Sequence, residues 1–338
     1  MTQTQSPRPN NSAESAAEPS GSAAQRLKAT LIVNPYSSGM TARRERDIVT
    51  ALREEFELDV LRTEHAGHAV SLANEAWKAG AQLIIACGGD GTANEVLNGL
   101  DLSHNTALER PLLALLPAGG TNVLCRSLGI PNHPLKAVRH LLDSIRTERW
   151  KTINLGRLDE RLFMFAAGVG FDGEVVRRID NKRTGRRPSD LSHLTTIAGL
   201  FLHERFRLEE RMTVEIESTH ELLRSSMLLC GNTTPMSYLG KIPMHMMPAC
   251  RLDSGLDIIA PRKIGPLFFL RSGARSLGKR GGRRAPEAAP DTQQMRCDIT
   301  GFTVTCDSPQ PCQVDGEFIG DRTHIRFESI VAPIRLVS

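Results

Sequence analysis

The chain has 338 residues, long enough for two domains that each bury their own core. Its net charge of +4 is mild and only 4% of its residues are aromatic, so the composition carries no nucleic-acid-binding signature. No stretch approaches the roughly 18 apolar residues of a membrane-spanning helix, and any insoluble ligand must be reached from the surface.

In chain order, residues 1–26 are rich in Ser, Ala, Pro and Asn, lack the apolar centre of a signal peptide, and read as a disordered tail. From 27 to 150 strand and helix patterns alternate. Strands are predicted near 29–34, 57–62, 82–87 and 112–116, and helices near 41–55, 67–79, 92–100 and 134–147. This alternation predicts a doubly wound α/β sheet. After Trp150 short alternating runs take over: Thr152–Leu155, Leu162–Gly168, Met212–Ile216, Ser225–Gly231, Leu256–Ile259, Phe302–Cys306 and Thr323–Phe327. They predict a C-terminal antiparallel β-sandwich domain over 151–329. Helical inserts are expected near 189–207 and 264–278, and a flexible loop over 280–292.

Three loops follow the carboxyl ends of predicted strands. Asn34-Pro35-Tyr36-Ser37-Ser38-Gly39 follows the first. Gly88-Gly89-Asp90-Gly91-Thr92 follows the buried run Leu83–Cys87. Pro117-Ala118-Gly119-Gly120-Thr121-Asn122 follows Leu112–Leu116. Ligands of open parallel sheets bind outside these ends. Glycines let the backbone approach a phosphate, and the amides at a helix start favour an anion. Asp90 is the one charge in its turn. A carboxylate beside a phosphate cradle repels unless it holds a cation, which points to Mg²⁺ and phosphoryl transfer. The Walker spacing and the G-x-G-x-x-G fingerprint are both absent.

The rest of the chain adds bounds. Seven cysteines without a C-x-x-C pair or metal spacing suit reduced thiols in a cytosol, with Cys87 and Cys230 as core residues. Arg177–Arg187 and Arg271–Arg284 are basic clusters; each is either a solvated surface or a patch for anionic lipid, at about 1 kcal/mol per basic residue. His65 and His68 do not make a convincing metal pair, and Met244, Met246 and Met247 suit core packing.

The motifs together resemble the diacylglycerol kinase catalytic domain family, which includes soluble bacterial diacylglycerol kinases, sphingosine kinases and ceramide kinases. The resemblance rests on Asn34-Pro35…Ser38-Gly39, Gly88–Thr92, Gly120-Thr121-Asn122 and Leu128–Pro131. It continues with Gly168-Val169-Gly170-Phe171-Asp172-Gly173, Pro248…Asp253–Asp257 and Val314-Asp315-Gly316-Glu317. It covers about residues 28–338 and implies that 330–338 return to the first domain. It implies that Asn34, Ser38, Thr63, Gly88, Gly89, Asp90, Gly91, Thr92, Gly120 and Thr121 line an ATP site, with Asp90 organising Mg²⁺. It assigns the catalytic base to Asp315 and its support to Glu317. Taken without the family, Asp90 also reads as a helix-capping turn residue, Thr63 as a helix N-cap, and Asp315-Gly316 as a hairpin turn.

Three departures stand out. Ser254 replaces an acidic residue of the family's Asp-Asp-Gly, where some bacterial members place a structural Mg²⁺. Val123 replaces a common Asp, and Gly231–Met236 lacks a glycine run. The reading is an ATP- and Mg²⁺-dependent lipid kinase acting on diacylglycerol or a related long-chain lipid, cytoplasmic and peripherally bound to anionic membrane. It has no nucleic-acid partner, and a homodimer is compatible with it. The alternatives are an NAD kinase-like phosphotransferase and an inactive nucleotide-binding regulator.

Overall fold

The computed structural model describes residues 26–102, 106–181, 210–240, 242–265 and 294–338. The tail to residue 25, the insert expected near 189–207, the loop 280–292 and the insert near 264–278 past residue 265 lie outside the described residues.

The first half is a parallel sheet. Strands β1 (Lys28–Val33), β2 (Glu57–Arg62), β3 (Leu83–Gly88) and β4 (Leu112–Pro117) lie in the order β4-β3-β1-β2. β3 and β4 are apolar throughout and buried throughout, as strands covered on both faces must be. Helix α1 (Ala42–Arg53) packs on α5 (Pro134–Arg146), and α2 (His68–Lys78) packs on α3 (Asp90–Asn98). The chain steps outward from β1 to β2, then back past β1 to β3. With right-handed crossovers this reversal puts α1 and α2 on opposite faces. The crevice at the carboxyl ends of β1 and β3 is therefore the topological switch point.

The second half is strand-rich and antiparallel. It contains β5 (Trp150–Leu158), β6 (Arg161–Phe163), β7 (Ala166–Val169), β8 (Met212–Ile216), β9 (Glu221–Ser225), β10 (Leu228–Gly231), β13 (Leu256–Ile259), β14 (Met295–Ile299), β15 (Gly301–Val314) and β16 (Glu317–Val337). It closes around its own core, where the Phe302 and Phe327 rings stack 4.5 Å apart and Phe163 meets Phe327 edge-on. The two halves share one hydrogen-bonded sheet. β16 pairs with β15 and β5, and at Leu336 it lies parallel to Leu113 of β4. Where β16 passes from one half to the other it bulges between Ile330 and Ile334, and the Asn154 side chain fills the gap by accepting from Ala332 N–H at 2.8 Å. A separate hairpin, β11 (Ser237–Leu239) with β12 (Ile242–Met244), is tied to the short helix α4 (Val123–Ser127): the Arg126 guanidinium lies 3.4 Å over the Tyr238 ring.

The α/β class with a C-terminal strand-rich region is as expected, and several local expectations are corrected. The run Leu162–Gly168 is two strands, because between them the amides of Met164 and Phe165 turn inward to a carboxylate and cannot join a ladder. Ser225–Gly231 also breaks, where the Ser225 and Ser226 hydroxyls donate to Pro261 O. Phe302–Cys306 and Thr323–Phe327 are fragments of β15 and β16, which run on for 14 and 21 residues. Helix α6 (Phe171–Asn181) occupies a stretch where no helix was expected. Among the described residues no helix is long and apolar enough to cross a membrane.

Candidate active site

The three loops after β1, β3 and β4 meet at the switch point. Ala118 and Gly119 N–H both donate to Gly88 O, at 2.7 and 3.1 Å, and Gly39 N–H donates to Ala118 O at 2.8 Å. Asn34 bridges two of the loops: its Oδ1 accepts from Tyr36 N–H and its Nδ2 donates to Thr92 Oγ1 at 3.1 Å. The crossing is too close for larger residues. A Cβ on Gly119 would lie 2.5 Å from Gly89 Cα, and one on Gly88 would strike the Thr92 side chain. At Gly91 a Cβ would meet nothing, so this amide edge is open. Gly120, Thr121 and Ser38 stand exposed at the rim. Ser37 is 4% exposed, and its buried Oγ has no partner.

Asp90 is the first residue of α3, whose N-cap is Gly89. Its carboxylate turns across to α4, where Oδ2 accepts from Val123 N–H at 3.1 Å and Oδ1 from Leu124 N–H at 3.3 Å. Two amides thus orient the single carboxylate of the cradle. Thr63 is buried at the end of β2, with its N–H on Val33 O. The N-cap alternative for Thr63 is corrected: α2 starts after Gly67, and Glu95 Oε2 serves its first turn by accepting from Ala69 N–H.

Asp315-Gly316 is a two-residue hairpin turn between β15 and β16, with φ of 46° and 80°. Aspartate and glycine suit a turn needing positive φ at both positions. The Asp315 side chain points inward and is 6% exposed. Oδ1 accepts from Phe165 and Ala166 N–H, and Oδ2 accepts from Met164 N–H and from Asn94 Nδ2 at 2.9 Å. Burial pushes this carboxyl up to about 6, although the four donors favour its anion. Glu317 diverges from Asp315. Asp315 is buried while Glu317 is exposed, and Glu317 Oε2 accepts from Arg161 at 2.8 Å.

Asn94 connects the two motifs. It lies on α3 one turn past Asp90, about 6 Å along the axis, and it is 1% exposed. Its amide donates both to Asp315 Oδ2 and to Leu162 O, and Asn98 on the next turn also holds Leu162. Sequence reasoning placed Asn94-Glu95 inside a helix and gave it no role. The available signal was a polar residue on the buried face of α3, beside Ala93 and Leu97.

Elsewhere, Arg251 lies bidentate on Asp253, while Asp257 is buried and accepts from Asp298 N–H. Among the described residues no cluster of three or more His, Cys, Asp or Glu side chains could hold a metal. All seven cysteines are free thiols, and burial pushes Cys87 up to about 12. Arg177 and Arg178 both pair with Glu174; the rest of the two basic clusters lies outside the described residues.

Known proteins resemble this chain. A model of the diacylglycerol kinase catalytic domain matches residues 28–158. A diacylglycerol kinase of Bacillus subtilis (strain 168) is 34% identical over 255 residues, which span 74% of this chain and 78% of that protein. The chain belongs to the diacylglycerol kinase family. A second family relative, from Staphylococcus aureus (strain JH9), is 31% identical over 307 residues and 87% of each chain. The fold is similar to the crystal structure of a diacylglycerol kinase from Bacillus anthracis str. Sterne, with a TM-score of 0.65 at 20% identity over 92% of this chain and 96% of that one. The protein is thus an enzyme of a lipid-kinase family.

Proposed function

We propose that this kinase transfers the γ-phosphoryl of ATP to a hydroxyl of diacylglycerol or a related long-chain lipid. The observation that carries the reading is the Asn94–Asp315 bond, which joins the helix of the phosphate loop to the carboxylate hairpin. The loop edges would cradle the triphosphate through Gly88–Thr92, Asn34, Ser38, Thr63, Gly120 and Thr121. The unpartnered Ser37 hydroxyl and the glycine-only crossings support an anion there.

The donor set fits Mg²⁺ carried in with the nucleotide, since this ion is commonly held by one or two carboxylates plus substrate phosphates. Asp90 is the residue that would hold it, directly or through water. When bound, the ion neutralises charge on the phosphate oxygens.

Asp315 would accept the proton of the attacking lipid hydroxyl. A carboxyl near 6 is mostly ionised at pH 7 and still basic enough to take a proton. Its lone pairs are filled by three backbone amides and one side chain, so the hydroxyl takes the place of the Asn94 amide. Glu317, paired with Arg161, would hold the outer side of the turn. We place the division of labour at about residue 150, with 27–150 and the returning 330–338 binding nucleotide and 151–329 offering the acceptor site. Docking on anionic membrane would rest on the arginines at 183–187 and 271–284, because Arg177 and Arg178 are already paired with Glu174 and Asp321.

The test is transfer from radiolabelled ATP to a panel of diacylglycerol, monoacylglycerol, sphingosine, ceramide and NAD. Label in a lipid, and in diacylglycerol above the rest, is expected. Label in NAD alone, or in nothing, overturns the reading.

A further inference from the structure

The motif Gly168-Val169-Gly170-Phe171-Asp172-Gly173 has no role in the site so far. Its glycines seat helix α6 on β15. Gly170, at φ 83°, donates its N–H to Pro311 O at 2.9 Å, and a Cβ on Gly173 would strike the same carbonyl. Gly168 pairs in register with Gln313. The Asp172 carboxylate lies directly over Gly168, where a Cβ would collide with Oδ2. Three glycines therefore bring one carboxylate against one amide: Gln313 Nε2 donates to Asp172 Oδ2 at 2.5 Å. The other end of that amide faces the catalytic turn, where Gln313 Oε1 accepts from Gly316 N–H at 2.9 Å.

We propose that Asp172 and Gln313 are positioning residues for phosphoryl transfer, with Asp172 orienting the Gln313 amide and Gln313 fixing the Asp315-Gly316 turn from outside. The inference rests on the reading of Asp315 as proton acceptor.

The chemistry of the amide makes the chain of bonds directional. A carboxylate only accepts and a backbone N–H only donates, so one orientation of Gln313 satisfies both neighbours. Without Asp172 the amide is free to flip, which sets its NH₂ group against the Gly316 N–H, donor against donor. The turn then keeps its inner bonds to Met164, Phe165 and Ala166 but loses its outer one. Gln313 is 5% exposed, so water replaces its bond poorly. Burial also pushes the Asp172 carboxyl up to about 6, against the lowering bond from Gln313. The fold thus keeps a carboxyl in an unfavourable place, and the Gln313 contact is what it serves there.

The experiment uses the full chain and the lipid of the acceptor panel that the wild type phosphorylates fastest. Asp172→Ala should lower kcat by about 10- to 100-fold, the scale of a misplaced reacting group, with the KM for ATP unchanged within about twofold. Asp172→Asn keeps an acceptor oxygen for Gln313 and should stay within about threefold of wild type. Gln313→Ala should match Asp172→Ala, and the double variant should lose no more than either single change. Asp315→Asn is measured beside them. An inactive Asp315→Asn with wild-type rates for Asp172→Ala and Gln313→Ala overturns the positioning role alone. Equal losses in Asp172→Asn and Asp172→Ala overturn it too, by showing that the charge acts and not the amide orientation. Loss of kcat together with ATP affinity and thermal stability reduces both residues to structural support and overturns the proposal. An active Asp315→Asn overturns the proton-acceptor reading and this inference with it.

Discussion

The two halves build their parts of the site from different materials. Around Gly88 the loops are held mostly by main chain, amides, carbonyls and glycines whose missing Cβ atoms allow three loops to cross, with Asn34, Thr92 and Asp90 as the side-chain ties. Around Asp315 it is built on side chains: a buried carboxylate, two asparagines and a glutamine, each making at least one long-range bond. A main-chain cradle depends on short motifs and tolerates change beside them. A buried polar network depends on every member, because a donor or acceptor left alone there costs on the order of 1–3 kcal/mol.

That contrast can be broken at several points. The largest effect is expected at the carboxylate of the network. Asp315→Ala should lower single-turnover transfer by about 10³-fold, within the range for a lost general base. In the cradle, Asp90→Asn keeps the shape of the turn and removes its only charge. Turnover should fall by about two orders of magnitude with little change in unfolding, measured at saturating Mg²⁺. The pH profile sharpens the comparison. As the proposed proton acceptor Asp315 would act as the anion, and burial pushes its carboxyl up to about 6. Transfer should therefore be full above that value and fall about tenfold per pH unit below it, read from initial rates between pH 4.5 and 8. Asn94→Ala removes one donor from the buried carboxylate and one from Leu162 O, and should cost roughly 1–3 kcal/mol in urea unfolding. The smallest effect is expected at the membrane. Vesicle binding should weaken as salt rises, since exposed charges are screened beyond about 10 Å at 0.1 M. Equal binding to neutral and anionic vesicles contradicts the basic patches.

The same contrast explains what the sequence could show. β3 and β4 are unbroken apolar runs, and the loops after β1, β3 and β4 carry their glycines in plain view; their convergence follows from topology alone. β8 and β13 were expected at their observed positions because each is a short run bounded by turn residues. β15 and β16 were cut short in the reading because Pro309, Pro311 and Pro333 interrupt them. The structure accommodates Pro309 and Pro333 with bulges, between Thr305 and Gln310 and between Ile330 and Ile334, while Pro311 stays in register opposite Asp321. Helix α6 was hidden because Gly168–Gly173 reads as a loop, although Val175 and Ile179 carry its buried face. Asn94 and Asp315 are 221 residues apart, and no local pattern pairs them. Asp315-Gly316 was legible both as a turn and as a site motif. The turn is observed, and its carboxylate points inward onto the amides of Met164, Phe165 and Ala166, which no local pattern announces.

The division of labour between the halves is tested most directly by titrating ATP into Asp90→Asn and Asp315→Ala by calorimetry in the presence of Mg²⁺. The account predicts that Asp315→Ala binds ATP as wild type does while transferring nothing, and that Asp90→Asn binds it more weakly. If Asp315→Ala loses ATP binding in step with its activity, or turns over normally, the carboxylate hairpin is only a structural joint and the proton acceptor lies elsewhere.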